Sequence, residues 1–82
     1  MLIEFCKDFR VVNLETFDEI CIEVNESSTE ERFNIIAARY TQNGVIKLLL
    51  CSFPNISEAL AKSVFNSLFS AWCRNDEKYS IN

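Results

Sequence analysis

Glu19 and Glu23 flank Cys21 at two positions either side, and strict alternation would set all three on one strand face. Two carboxylates around a thiol suggest proton transfer, a metal, or an activated nucleophile. Each of those chemistries needs partners that the sequence does not place beside them, so the expectation is a solvated strand face. The 82 residues include no histidine, which removes Ser-His-Asp and Cys-His catalysis and the commonest metal ligand. One glycine cannot build a phosphate-cradling loop. Cys6, Cys21, Cys51 and Cys73 are far apart and form no C-x-x-C, so they read as reduced thiols that fill apolar space. Arg39, Lys47 and Tyr40 gather near an expected hairpin tip and read as a solubilising loop end. Trp72 reads as a lid on the core. No catalytic, cofactor-binding or metal-binding residue is assigned, no cofactor is expected, and the chain is not expected to be an enzyme.

The elements that would position these residues begin with a hairpin. Gln42-Asn43-Gly44-Val45 holds the only glycine, and Asn-Gly suits a type I′ turn, whose two central residues both need φ > 0. That turn predicts flanking strands at about 32–41 and 46–53, with Ala37 opposite Leu50. Two short strands are expected at 2–6 and 9–12 around a Lys7-Asp8 turn. Asn13 can bond the backbone that follows it. Residues 17–24 alternate, with Ile20, Ile22 and Val24 on one face. The polar run 25–31 reads as the most mobile loop. Pro54 ends the last strand. Asn55 and Glu58 then match a capping box for a helix over about 56–73. The apolar side chains of that helix span about 180°, wider than one sheet covers, which predicts a further contact for Phe65 or Phe69. The polar tail 74–82 is expected to fray.

The sequence thus predicts one α+β domain over residues 1–82. Its sheet, at about 2–53, is an antiparallel meander of four to five strands, with the C-terminal helix packed on one face. Phe33, Ile35, Ala37, Ile46, Leu48 and Leu50 are the expected helix-covered set. Ile36, Ala38, Tyr40, Val45, Leu49, Cys51 and Phe53 share the other face. An open face of that composition marks an interface, and these seven are the candidate interface residues. A chain of this length buries roughly 60–65% of its unfolded surface, so an apolar share of 49% favours burial between subunits.

Net charge is −4 and unevenly spread. Residues 1–31 carry nine acids against Lys7 and Arg10, while residues 32–82 carry three acids against six bases. Glu15, Asp18, Glu19, Glu23, Glu26, Glu30 and Glu31 form a candidate acidic docking strip for a basic protein partner. Phosphate repels such a surface, so direct nucleic-acid binding is not expected. No basic leader and no apolar run near the roughly 20 residues of a membrane span is present, which predicts a cytoplasmic protein with no membrane partner.

Val11-Val12-Asn13-Leu14-Glu15, Ile20-Cys21-Ile22-Glu23, the Asn-Gly hairpin, and Phe53 leading to Ser57-Glu58-Ala59 together resemble a group of very short bacterial and phage proteins of unknown function. The resemblance spans about residues 9–65 and lies in pattern. It implies a small sheet-plus-helix domain of a kind carried on mobile elements, and no activity. The functional expectation is a non-enzymatic protein-interaction module acting as a homo-oligomer. The alternative is a small acidic inhibitor that docks on the basic groove of a host nucleic-acid-processing or defence protein.

Overall fold

Alternation at 19–24 and the apolar runs on either side of Gly44 each produce strands. The computed structural model describes residues 1–5 and 10–81. It contains β1 (Leu2–Phe5), β2 (Arg10–Asn13), β3 (Glu19–Val24), β4 (Phe33–Thr41) and β5 (Gly44–Phe53). A 3-10 turn at Asn55–Ser57 leads into α1 (Glu58–Cys73), and β6 (Lys78–Ile81) follows. The fold is α+β, but the strands form two three-stranded sheets, β2-β1-β6 and β3-β4-β5, in place of one meander. The β3-β4-β5 sheet is antiparallel. In the other, β1 pairs antiparallel with β2 and parallel with β6. The expected Lys7-Asp8 turn and Cys6 lie outside the described residues.

The meander reading fails at the tail. Asn75 is the one non-glycine residue at positive φ among the described residues, at 58°. The Asn75 N–H donates to the Trp72 carbonyl at 3.1 Å, and the Asp76 N–H to the Ala71 carbonyl at 3.0 Å. This is a Schellman stop, in which a left-handed residue satisfies the last carbonyls of the helix and reverses the chain. Residues 78–81 therefore return as a strand beside β1, with Tyr79 opposite Ile3 and Ile81 opposite Phe5. The tail is paired where fraying was expected.

The other helix end also differs from expectation. Asn55 and Ser57 make no side-chain cap bond. Glu58 instead meets Lys62 one turn on, at 3.3 Å, so the capping box is not formed. Ile3, Phe5, Leu14, Ile20, Ile35, Ala37, Leu50 and Leu68 make one buried cluster, joined by both sheets and the helix. Ala61, Leu68 and Ala71 are the buried helix stripe. Leu60 and Phe69, at its flanks, stay half exposed, and Phe69 stacks on Phe65 with centroids 6.1 Å apart.

The hairpin turn is not type I′. Gln42 and Asn43 occupy the turn and Thr41 pairs with Gly44. Neither Gln42 nor Asn43 has positive φ; Gly44, after the turn, takes φ 128°. Ala37 thus faces Leu48 rather than Leu50. Shifting the partner by two residues leaves every side chain on its expected face, because the strand period is two. The irregularity between Ile35 and Ile36 has the opposite effect. It makes Leu50 an extra residue on β5, which turns Cys51 and Phe53 from the open face onto the core.

These geometries predict four substitution outcomes, read as denaturation midpoints converted to stability. Asn75→Val should cost about 1–2 kcal/mol, because a β-branched residue resists the left-handed region, while Asn75→Gly should be neutral or better. Gly44→Val should cost about 1–3 kcal/mol through backbone strain, since an added Cβ meets nothing within 4 Å. Asn43→Ala should cost under about 0.5 kcal/mol because Asn43 needs no positive φ; a larger loss would indicate the type I′ turn.

Candidate functional site

The β3-β4-β5 sheet presents two unlike faces. Ile20, Ile35, Ala37 and Leu50 are buried against the helix side. The opposite face carries Glu19, Cys21 and Glu23 from β3, Asn34, Ile36, Ala38 and Tyr40 from β4, and Val45, Lys47 and Leu49 from β5. The expected open apolar interface is therefore divided. Cys51 and Phe53 have moved to the core, and Ile36 and Ala38 are only 5% and 1% exposed. Tyr40, Val45 and Leu49 remain accessible, at 56%, 49% and 46%.

Polar side chains account for the burial of Ile36 and Ala38. Glu23 pairs with Asn34 across the ladder and Lys47 with Ala38, so a Glu23–Lys47 ion pair must cross the position between them, which is Ile36. That pair is made, with Lys47 Nζ 2.7 Å from Glu23 Oε2. Tyr40 leans back along its strand and its hydroxyl donates to Glu19 Oε1 at 2.6 Å, beside Ala38. Sequence reasoning missed both straps because they join residues more than 20 positions apart.

The acidic strip is dispersed. Asp18 has a backbone role: its carboxylate accepts the Tyr40 N–H at 2.8 Å, and its own N–H donates to the Ala38 carbonyl at 2.8 Å. Glu19 and Glu23 are engaged as above. Glu15 lines a cleft of about 540 Å³ with Trp72, Asp76 and Glu77. Its N–H donates to Asn13 Oδ1 at 3.0 Å, the local bond expected of Asn13. Glu26, Glu30 and Glu31 are exposed in the loop 25–31. That loop is more tied than expected, with Asn25 N–H on the Arg32 carbonyl at 2.7 Å and Ser27 Oγ on Asn25 Oδ1 at 2.7 Å. Arg39 pairs with Ile46, on the face opposite Lys47 and Tyr40, so these three do not form one patch.

The thiol between the carboxylates is poorly suited to nucleophilic attack. Burial first, then Glu19 and Glu23, push Cys21 upward, with Lys47 opposing them. Burial alone raises Cys51 from 9.0 to about 11. A thiol held protonated in this way attacks slowly. Tyr40 is raised chiefly by its bond to Glu19, and Lys47 chiefly by its bond to Glu23. Cys21, Cys51 and Cys73 are free. Among the described residues no group of three or more His, Cys, Asp or Glu is arranged to hold a metal, and no helix is long and apolar enough to cross a membrane.

The chain matches no protein-family model, no curated protein and no solved structure.

Cys21, Cys51, Tyr40 and Lys47 all hold their protons more tightly in the fold than free in solution. The unfolded chain therefore releases protons first, and rising pH favours unfolding. Melting temperature should fall as pH rises from 9.0 toward about 11, the span set by Cys51. Cys51→Val should make the start of that decline shallower. A profile that is flat for the parent chain, or identical for the variant, would contradict this assignment.

Proposed function

We propose that this chain is a non-enzymatic protein-interaction module that works as a homo-oligomer in the cytoplasm. The supporting observation is the crowding of accessible large apolar side chains on one hairpin. Tyr40, Val45, Ile46 and Leu49 are each about half exposed and all belong to β4 and β5. Single exposed apolar residues are ordinary, whereas several gathered together mark a contact surface. Tyr40, Val45 and Leu49 lie on one face and Ile46 on the other, so the hairpin is apolar on both sides, while Ile36, Ala38, Cys51 and Phe53 leave the expected interface.

The acidic-inhibitor reading has less support. It needs the seven acids to face one way, but Asp18, Glu19 and Glu23 are bound within the chain. Glu15 lies apart from Glu26, Glu30 and Glu31. The Glu23–Lys47 pair is exposed, and such pairs contribute little to stability, on the order of 0–1 kcal/mol.

Sedimentation tests the proposal. At about 100 µM the protein should run as a dimer or larger in both low and molar salt, because apolar contact resists screening. A species of 9.5 kDa under both conditions would overturn it. The quadruple variant E23Q/E26Q/E30Q/E31Q should remain folded and keep the same assembly. Loss of assembly in that variant would shift the reading to the acidic strip.

A further inference from the structure

We infer that two copies of this chain join through the free edge of β5, antiparallel across a twofold axis, to make one continuous six-stranded sheet. This rests on the homo-oligomer reading and specifies its mode.

The two sheets leave four outer edges, on β2, β6, β3 and β5. Unpaired edges recruit other strands unless they are short, charged or interrupted by proline. β2 and β6 have four residues each. β3 has six, two of them Glu19 and Glu23. β5 has ten, and Lys47 is its only charge. Pro54 falls just beyond it. Lys47 does not guard the edge, because its ammonium reaches back across its own sheet to Glu23 on the far strand. Three edges thus carry the usual protection, and the longest has none over Gly44–Leu49, ahead of the irregularity at Leu50.

The side chains along this edge suit a second copy. Val45 and Leu49 lie on one face, Ile46 and Leu48 on the other, so an added strand gains apolar neighbours above and below. Antiparallel pairing of a strand with itself is self-complementary under a twofold axis. Directly opposed residues must share a face, so the axis passes through a residue position. An axis at Lys47 would oppose two ammonium groups. An axis at Ile46 sets Ile46 against its own copy and Lys47 beside Val45, and it keeps the ladder within 44–48, before the irregularity.

Position 46 then meets only itself, which gives a specific test. Ile46 is about half exposed, so Ile46→Lys and Ile46→Glu should each fold, as checked by melting temperature. Each alone should be monomeric, with a dimer dissociation constant raised at least about tenfold by like charges across the axis. Mixed in equal amounts, the two should recover a one-to-one dimer. Phe69→Lys, on the helix flank, should leave the parent dimer intact. A parent dimer that both Ile46 variants retain, or two monomeric variants whose mixture does not reassociate, would overturn the edge pairing and leave the homo-oligomer reading standing. A monomeric parent chain would overturn both.

Discussion

One small core, shared by two sheets and a single helix, organises the molecule. The buried stripe of Ala61, Leu68 and Ala71 is too narrow to hold six strands in a single layer. The helix lies against β3, β4 and β5, and the other three-stranded sheet closes on the same core. Leu68 belongs to the same buried cluster as Ile3 and Phe5 of one sheet and Ile20, Ile35, Ala37 and Leu50 of the other. Short sheets are marginal by themselves. Sharing one core lets each bury apolar side chains in a chain of only 82 residues. The Schellman stop at Asn75 completes the arrangement, because only a sharply reversed chain can place β6 beside β1 and seat Tyr79 and Ile81 against the core.

The face of β3-β4-β5 that the helix leaves uncovered is closed in another way. The Glu23–Lys47 pair and the Tyr40–Glu19 bond lie over Ile36 and Ala38, so the apolar centre of the face is withdrawn from water while Tyr40, Val45 and Leu49 stay accessible. An exposed ion pair stabilises little through charge alone. Its aliphatic stem contributes by shielding apolar surface beneath it. The same straps hold the two carboxylates that flank Cys21, and they leave Tyr40, Val45 and Leu49 as accessible apolar side chains of this face.

Much of the fold was legible in the residues. Alternation at 19–24 fixed the faces of β3, and the polar and apolar positions of 58–73 fixed the buried side of the helix. The hairpin was legible through Gly44, although the turn beneath it was read wrongly. The face assignments survived that error because the partners moved by an even number of residues. Cys51 and Phe53 did not survive, because a bulge shifts register by one and no residue type in 49–52 signals it. For Asn75, a signal was present in the asparagine just past a helix end, which favours the left-handed stop.

By itself, then, the sequence determined which residues alternate, which helix stripe is apolar, that a hairpin turns beside Gly44, and which familiar chemistries the absence of histidine and the single glycine exclude. Those properties depend on neighbours a few positions apart, where backbone sterics and side-chain period decide the outcome. Only the tertiary structure decided that the strands divide into two sheets, that the tail becomes β6 beside β1, that Lys47 spans the sheet to Glu23, and that β5 rather than a whole sheet face is left open. Each of these joins segments distant along the chain. Their pairing is set by competition among all strands for one small core, and that competition is resolved in the folded packing rather than in any local run of residues.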